Sequence, residues 1–485
     1  MLIVLNNLTH HYEIEQLVRM FTKDLSVQYG TKDVLNCENT DEYLYVEKTQ
    51  TDVTVELCHN GTFLTEKADA CADEEQFMLD ICAAVYRLCT KAFDVQLKWG
   101  MLTGVRPVRL MRSLYTKHGN INAVSSIFKD RYFVSDEKIK LCRDIFDLQK
   151  NIIENKRYND YSLYISVPFC PSRCSYCSFV SVGSTNAGKL MEQYVQKLCD
   201  EIRYTAKTAA EAGLNLKTIY IGGGTPTAVS AAQLRQIMQT VRDNFDLSAV
   251  EEYTVEAGRP DCTTREKLQI IKELGADRVS INPQTFSDEV LAAIGRKHTH
   301  QDFIDCYNMA REMGFKSINT DLIAGLPKDT VEGFEKSLRG CIELGAENIT
   351  VHILTLKRAS NIVVNNEDNS YSDVSLMLDK CTQLADSGYV PYYMYRQKST
   401  LQSLENVGYS QIGHESLYNI YIMEEIQTII SCGAGGVTKV VGKNGELKRI
   451  YNYKYPTEYV KDFDTILRRK DEVTEVCRQF GFLND

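Results

Sequence analysis

The spacing of hydrophobic and polar residues divides the chain into segments with different periodicities. Residues 1–100 alternate short strand-like runs with amphipathic helical runs, which predicts a small α+β module. Residues 101–160 follow a mainly helical period and predict a helical connector. Within the first module the pattern predicts three strands and two helices, namely Leu2–Leu5, Tyr43–Glu47, Val53–Cys58, Tyr12–Phe21 and Glu74–Phe93.

From residue 161 to about 390, β-rich runs alternate with helical segments. This order predicts parallel βαβ units, so the fold class is α/β with a partial (β/α)6 barrel, followed by a C-terminal, substrate-covering extension at 391–485. The predicted strands are Leu163–Val167, Thr218–Ile221, Glu252–Ala257, Arg278–Ile281, Ser317–Ile323 and Ile349–Leu354. The predicted helices are Leu190–Ala209, Ala231–Phe245, Thr264–Leu274, Phe303–Met313 and Val331–Leu344.

Composition narrows the class of protein. The 485 residues carry a formal net charge of −10, which argues against a nucleic acid partner because phosphates require basic surface. No apolar run approaches the roughly 18–20 residues that span a bilayer, and the N-terminus lacks the basic start of a signal peptide. We therefore expect a cytoplasmic protein without a membrane span, in which the sixteen scattered cysteines are reduced.

Three of these cysteines stand together, directly after the first barrel strand. Cys170, Cys174 and Cys177 have the spacing Cys-x3-Cys-x2-Cys, which lets one loop supply three thiolates to an iron–sulfur cluster. A cubane cluster with three protein ligands keeps one iron open to a small molecule. The alternatives are a zinc knuckle, which would want a fourth Cys or His close by, and ordinary buried cysteines.

The ends of the other predicted strands carry polar residues suited to a ligand. Chemistry in such barrels gathers at the carboxyl ends of the strands. Glycines permit close backbone approach, carboxylates and amides bind hydroxyl or ammonium groups, and an arginine can hold a carboxylate with two hydrogen bonds. The two histidines that follow these motifs, His298 and His300, are expected on the surface. The candidates at the strand ends are Gly223, Gly224, Thr225, Glu256, Gln284, Arg296 and Asp321.

Three motifs together carry a family resemblance. Val-Pro-Phe-Cys-x3-Cys-x-Tyr-Cys at 167–177 resembles the signature of the radical S-adenosylmethionine (SAM) enzymes. With Gly-Gly-Gly-Thr-Pro-Thr at 222–227 and Asp-Leu-Ile-Ala-Gly-Leu-Pro at 321–327, the chain resembles the oxygen-independent coproporphyrinogen III oxidase group. Residues 102–109, 392–398 and 405–409 look most like its HemZ type.

The resemblance implies two cofactors and their sites. A [4Fe–4S] cluster would be held by Cys170, Cys174 and Cys177, and SAM would fill the open iron site. Reduction of the cluster would require an electron-donor protein of flavodoxin or ferredoxin type. By the same resemblance, the SAM contacts would come from Tyr164, Tyr176, Gly223, Gly224, Thr225, Glu256, Gln284, Arg296 and Asp321.

The reaction implied is oxidative decarboxylation of coproporphyrinogen III propionates to vinyl groups, a step of haem biosynthesis. Two positions depart from the oxidase: Phe179 stands where it has a fourth cysteine, as in the haem chaperone HemW, and Ser166 stands where the family has a histidine. The alternatives are therefore a haem-binding or haem-delivery protein and a radical SAM methyltransferase acting on haem. A tetracarboxylate substrate needs cations, for which we expect Lys357, Arg358, Arg396 and Lys398.

Overall fold

The computed structural model describes residues 1–8, 12–22, 25–38, 41–69, 73–104, 106–357, 360, 371–398 and 400–482. The chain divides into two compact units. The first is Met1–Phe146 with Gln402–Leu404, and the second comprises Asp147–Leu401 and Glu405–Asp485.

The first unit is an α+β module. Its five-stranded sheet has the order β2-β1-β3-β4-β5, in which β1 runs parallel to both neighbours and β3, β4 and β5 form an antiparallel meander. The core lies between this sheet and helices α1 and α3, which supply Leu17, Ile81 and Val85. The elements are β1 Leu2–Asn6, α1 Tyr12–Val18, β2 Ser26–Tyr29, α2 Asp33–Glu38, β3 Tyr43–Lys48, β4 Asp52–His59, β5 Thr62–Asp69, α3 Glu74–Phe93, α4 Pro107–His118, α5 Ile121–Ser126, a π-helical turn Ile127–Arg131 and the start of α6 Asp136–Glu154.

The second unit is built on one large sheet. Its elements before residue 360 are β6 Asp160–Val167, β7 Phe169–Cys170, β8 Val182–Gly183, α7 Ser184–Glu211, β9 Asn215–Gly223, α8 Ala231–Asn244, β10 Glu252–Glu256, α9 Arg265–Glu273, β11 Arg278–Ser280, α10 Asp288–Ala293, α11 His300–Glu312, β12 Ser317–Ala324, α12 Val331–Glu343 and β13 Asn348–Ile353. Those after it are α13 Val374–Asp379, α14 Thr382–Asp386, β14 Tyr389–Arg396, β15 Glu405–Gln411, α15 Leu417–Glu424, β16 Thr428–Cys432, β17 Val437–Val441, β18 Leu447–Tyr451, α16 Pro456–Lys461 and α17 Phe463–Gln479.

Six parallel strands form the centre of this sheet, in the order β13-β12-β11-β10-β9-β6. The helices between them begin at ordinary capping residues; Ser230 and Gln233, for example, form a capping box at the start of α8. The fold class is confirmed as α/β with a partial (β/α)6 barrel, an N-terminal α+β module and a C-terminal extension. All six predicted barrel strands and all five predicted helices are present, with ends that differ by a few residues.

The C-terminal residues extend the same sheet on both sides. Strand β15 pairs antiparallel with β13, and β14 pairs with β15. On the other side β16 runs parallel to β6, followed by the antiparallel β17 and β18. The boundary predicted at residue 390 falls inside β14. Within the described residues, no helix has the length and apolarity needed to cross a membrane.

Candidate active site

A cavity of about 450 Å³ opens where the parallel strands of the second unit end. Its lining contains two sets of side chains with different chemistry. The cysteine group consists of Cys170, Cys174, Tyr176, Cys177, Gly223, Gly224, Thr225, Arg259 and Arg296. The tyrosine group consists of Tyr164, Tyr220, Glu256, Asp321, His352, Tyr393 and Tyr395.

Cys170 ends β7, and Cys174 and Cys177 lie on the loop that follows it; β7 and β8 pair in parallel and so close the base of this loop. Cys174 is buried, whereas Cys170 and Cys177 are half-buried, and all three thiols are free. Thr225 Oγ1 donates to Cys170 Sγ at 3.5 Å. Burial raises the pKa of the Cys177 thiol. The loop therefore presents three unpaired sulfurs to one cavity.

The glycine-rich turn after β9 packs directly on this loop. Gly223 has φ +108°, and a Cβ atom on Gly224 would lie 2.7 Å from the carbonyl oxygen of Phe169. The amides of Gly224 and Thr225 donate to the carbonyls of Val167 and Phe169 at 2.9 and 2.7 Å. The glycines are needed for this close approach. These two amides hold the segment that leads into the cysteines.

Glu256 ends β10 and belongs to the tyrosine group. Tyr220 donates to its Oε1 at 2.7 Å, and the rings of Tyr220 and Tyr164 stack with centroids 6.2 Å apart. Burial raises the pKa of Glu256 to about 7, and the nearby Asp321 carboxylate adds to this shift, while the hydrogen bond from Tyr220 opposes it. The carboxyl group is thus able to take up or release a proton near neutral pH.

Asp321 lies two strands away, on β12, and is held by amides. Asn319 Nδ2 donates to its Oδ1 and Asn282 Nδ2 to its Oδ2, both at 2.7 Å. His352 Nε2 lies 3.7 Å from Oδ2, and its Nδ1 lies 3.1 Å from the hydroxyl of Tyr395. The sequence pattern put Asp321 among the candidates for a ligand contact. It lines the cavity and neighbours a histidine.

Gln284 also lines the cavity, and its backbone is constrained. Its φ of +67° is unusual for a residue with a side chain. The conformation is fixed by β12, because Gln284 N donates to Asp321 O at 2.9 Å and Ile323 N donates to Gln284 O at 3.0 Å. Local strain maintained in this way is common at functional sites.

Arg296 is buried and reaches three segments. Its Nη1 donates to the carbonyls of Gly258 and Asn282 at 3.2 and 2.9 Å, and its Nη2 donates to the Tyr176 hydroxyl at 3.4 Å. Arg296 Nε has no hydrogen-bond partner among the described residues. One donor of a buried guanidinium therefore remains available to a ligand in the cavity.

His298, expected on the surface, is buried instead, with 4% of its surface exposed. Burial lowers its pKa to about 4, and the charges of Arg296 and Arg259 contribute to the shift. The ring is consequently neutral at physiological pH. Just before this histidine, Val290, Leu291 and Ile294 of the α10 segment belong to an apolar cluster against which Tyr176 packs.

The three predicted substrate cations that the structure describes are not brought together. Lys357 lines the cavity, and Arg358 lies outside the described residues. Arg396 on β14 is 6% exposed, and neither it nor the exposed Lys398 is among the described residues that line the cavity.

The sequence interpretation missed the remaining polar lining. Arg259 follows Glu256 by three residues, so the rule that strand ends carry the chemistry could have found it. His352 was placed in a strand, but without its partner strands nothing indicated which face it occupies. The residues missed in this way are Tyr220, Arg259, Asn282, His352, Tyr393 and Tyr395.

Comparison with known proteins agrees with this geometry. The model of the Radical SAM superfamily matches residues 164–340. The oxygen-independent coproporphyrinogen-III oxidase-like protein HemZ of Bacillus subtilis is 35% identical over 469 residues, covering 94% of this chain and 93% of its own. The haem chaperone HemW of Bacillus subtilis is 39% identical over 201 residues, covering 40% and 51%. The structure of coproporphyrinogen III oxidase (HemN) from Escherichia coli shares the fold with a TM-score of 0.52 at 22% identity, covering 66% of this chain and 73% of that one.

The fold and the cysteine loop thus define a radical SAM protein, whose cofactors are a [4Fe–4S] cluster and SAM. Within that class the chain belongs to the oxygen-independent coproporphyrinogen III oxidase group, in which it is similar to the HemZ type. The residues present fit these cofactors. Three free thiols, two carboxyl groups and Arg296 line one cavity, and Arg296 Nε has no hydrogen-bond partner in the part of the chain that the structure describes. This donor set suits a thiolate-ligated cluster and a zwitterionic ligand.

Proposed function

We propose that this chain catalyses the oxygen-independent oxidative decarboxylation of coproporphyrinogen III propionates, as a radical SAM enzyme of haem biosynthesis. The single observation that carries the proposal is the shared cavity, onto which three thiols, Arg296 and the two carboxyl groups all open. The substrate class comes from the name of the HemZ relative, 93% of which is covered by the match to this chain.

We assign the cluster to Cys170, Cys174 and Cys177. For SAM, we assign the carboxylate to Arg296, whose Nε is free of partners among the described residues, and the hydroxyl and ammonium groups to Glu256, Gln284 and Asp321. Glu256 ends β10, Gln284 follows β11, Arg296 follows α10 and Asp321 lies within β12. Tyr164, Tyr176, Gly223, Gly224 and Thr225 line the space between these groups and the cysteines.

When bound, the reduced cluster and SAM would supply a 5′-deoxyadenosyl radical able to take a hydrogen atom from a propionate side chain. The vinyl product would form as that side chain releases carbon dioxide and passes its remaining odd electron to an external one-electron acceptor. The protein's part is to hold the propionate in reach and to exclude competing reactions. Removal from water raises the pKa values of Tyr164 and Tyr395, which line the cavity, so both phenols stay protonated and offer hydroxyl donors to a carboxylate.

Among the predicted substrate cations that the structure describes, Lys357 lines the cavity. We propose that it contacts a propionate. An electron-donor protein of flavodoxin or ferredoxin type completes the system. We also propose a cytoplasmic location, where thiols remain reduced.

Haem binding is the second candidate, and Phe179 favours it. This residue lines the cavity beside the cysteines and is 66% exposed, at the place where the oxidase has a further cysteine. An exposed aromatic ring offers a flat apolar surface to a tetrapyrrole. A radical SAM methyltransferase acting on haem is the third interpretation of the resemblance. One turnover experiment distinguishes the three functions.

The test is anaerobic turnover by the reconstituted protein with SAM, a reductant and either coproporphyrinogen III or haem. Chromatography of the oxidised tetrapyrroles, together with release of 5′-deoxyadenosine, measures the outcome. Protoporphyrin formed in step with 5′-deoxyadenosine supports the proposal. Haem retained without change supports the delivery function, and haem consumed supports the methyltransferase.

Matched variants assign the outcome to the site. Cys174→Ala should abolish turnover, whereas Cys199→Ala, a buried thiol in α7 that contacts Gln236 O at 3.8 Å, should not. Turnover by Cys174→Ala at the wild-type rate would overturn the assignment of the cluster.

A further inference from the structure

Arg259 is a buried guanidinium at the carboxyl end of β10, and only 4% of its surface is exposed. Its Nε and Nη2 donate to the two carboxylate oxygens of Asp261 at 2.9 and 2.7 Å. This fork fixes the plane of the guanidinium, because two parallel hydrogen bonds allow a single orientation. The orientation directs the remaining donors toward the cysteine loop.

Those donors hold two residues of the loop. Nη1 donates to the carbonyl of Ser172 at 3.2 Å, and Nη2 donates to the Ser172 hydroxyl at 2.9 Å. Ser172 Oγ in turn donates to Gly295 O at 3.1 Å. Arg259 therefore ties the middle of the loop, between the first and second cysteines, to the barrel.

The same guanidinium contacts a sulfur. Arg259 Nη1 lies 3.7 Å from Cys174 Sγ, within the range of an N–H···S hydrogen bond. Cys174 is the buried member of the three cysteines, so water screens this contact little. Arg296, also buried, lies close enough to Cys174 to interact with it electrostatically.

The balance of charge around Cys174 is positive. Two guanidiniums, Arg259 and Arg296, face this sulfur, and Asp261 compensates one of them. His298 is neutral and adds no third cation. Net charge, burial and hydrogen bonds to sulfur ligands set the reduction potential of an iron–sulfur cluster. A reduced cluster carries one more negative charge, which a fixed cation stabilises.

We propose that Arg259 is a positioning residue for the cluster: it holds the cysteine loop in shape through Ser172 and raises the reduction potential by its hydrogen bond and charge at Cys174. The inference rests on the proposed assignment of Cys174 as a cluster ligand. It does not depend on which tetrapyrrole the protein binds.

The experiment compares Arg259→Gln and Arg259→Lys with wild type in the cluster-loaded protein without SAM. Midpoint potentials come from redox titration followed by the electron paramagnetic resonance signal of the reduced cluster. Arg259→Gln should shift the midpoint to a more negative potential, since it removes both charge and fork. Arg259→Lys retains the charge and should shift it less. Both variants should also lose iron to a chelator faster, by roughly tenfold or more for Arg259→Gln.

Arg278→Lys is the matched control. Arg278 is likewise buried, at 6% exposure, and is likewise bonded to its neighbours, with Nη2 donating to Asn348 Oδ1 at 2.6 Å, but it does not line the cavity among the described residues. Its midpoint and iron retention should match wild type. A merely structural role for Arg259 would lower the unfolding temperature without moving the midpoint.

The outcomes separate the inference from the function on which it rests. Unchanged midpoints in both Arg259 variants would overturn the inference. If Arg259→Gln does not fold, Arg259→Lys decides alone, and an unchanged midpoint there overturns it. If Cys174→Ala takes up a cluster with the wild-type signal, the ligand assignment fails instead. If the wild-type protein holds the cluster but leaves coproporphyrinogen III unchanged, the proposed function is contradicted. The effect of Arg259 on the midpoint potential can still be measured in that case.

Discussion

The cysteine group and the tyrosine group line one cavity but are built in different ways. The first comes from loops and a glycine turn that follow the strands, and its charges are cations facing sulfur. The second comes from side chains on the strands themselves, where two carboxyl groups lie among phenols, amides and one histidine. The cavity thus has a cationic part suited to electron uptake and an acidic part suited to hydroxyl and ammonium groups. A substitution in one group should therefore leave the properties of the other group intact, so that the two can be measured separately.

The largest effect is expected from a substitution that removes the cluster from the cysteine group. Cys174→Ala should abolish the cluster, because two remaining thiols cannot hold a cubane that is open at one iron. Iron content and the visible absorption of the reconstituted protein measure this. Cys199→Ala should keep the full cluster, and equal losses in both variants would contradict the distinction.

A second change concerns the acid of the tyrosine group. The pKa of Glu256 is about 7 in the folded chain and 4.5 when unperturbed, so the folded state retains a proton that the unfolded state releases. Stability should therefore fall as the pH rises from about 4.5 to about 7, by up to about 3 kcal/mol, and remain lower above that. Glu256→Gln should remove this dependence and be the more stable protein at pH 8 without SAM.

Urea unfolding at pH 5.5, 7 and 8 measures the effect. The control is Glu251→Gln, an exposed neighbour paired with Lys217, which should keep the wild-type pH dependence. A pH profile of Glu256→Gln that matches wild type would show that this carboxyl group is ionised throughout.

A smaller effect is expected at the rim. Lys357→Glu places a negative charge in the cavity lining and should raise the KM for coproporphyrinogen III about fivefold, corresponding to roughly 1 kcal/mol for an exposed charge contact. Lys398→Glu carries the same change outside the described lining and should leave KM unaltered. Steady-state kinetics of both variants decide, and an equal effect would place the substrate elsewhere.

The smallest effect isolates one hydrogen bond. Tyr395→Phe removes the hydroxyl 3.1 Å from His352 Nδ1 and should lower the free energy of unfolding by about 1 kcal/mol or less. Cluster content should not change, because the hydroxyl belongs to the other group. A loss of iron in this variant would show that the two groups are coupled. Tyr451→Phe, at an exposed tyrosine of β18, controls for the substitution itself.

The two groups also differ in how far the sequence could predict them. The cysteines lie in eight consecutive residues, and the glycine turn and Glu256 directly end their strands, so local motifs were enough. His352 meets Asp321 only because β12 and β13 pair with Ile323 opposite His352. Tyr395 reaches this site from β14, which joins the sheet through β15. Such contacts depend on register between strands far apart in the chain, and local periodicity carries no information about it.

The same limit explains what was missed in the fold. The residues after 390 contribute strands on both sides of the barrel sheet, although their pattern predicted only an extension. His298 lies buried between α10 and α11, although its neighbours Arg296 and Lys297 are charged. Arg396, predicted to be a substrate-binding cation, lies on β14 with only 6% of its surface exposed and is not among the described residues that line the cavity.

The pairing of β6 with β16 has a consequence for the order of biosynthesis. The strand that leads into the cysteine loop gains its second neighbour about 265 residues later, with Ile165 opposite Cys432, and Ser166 Oγ donates to Ala434 O at 2.8 Å. Long-range pairings of this kind form late, since the loop entropy must be paid first. A nascent chain still lacking β16 on the ribosome therefore cannot present a finished cysteine loop. We expect cluster insertion to follow the synthesis of β16 and its pairing with β6.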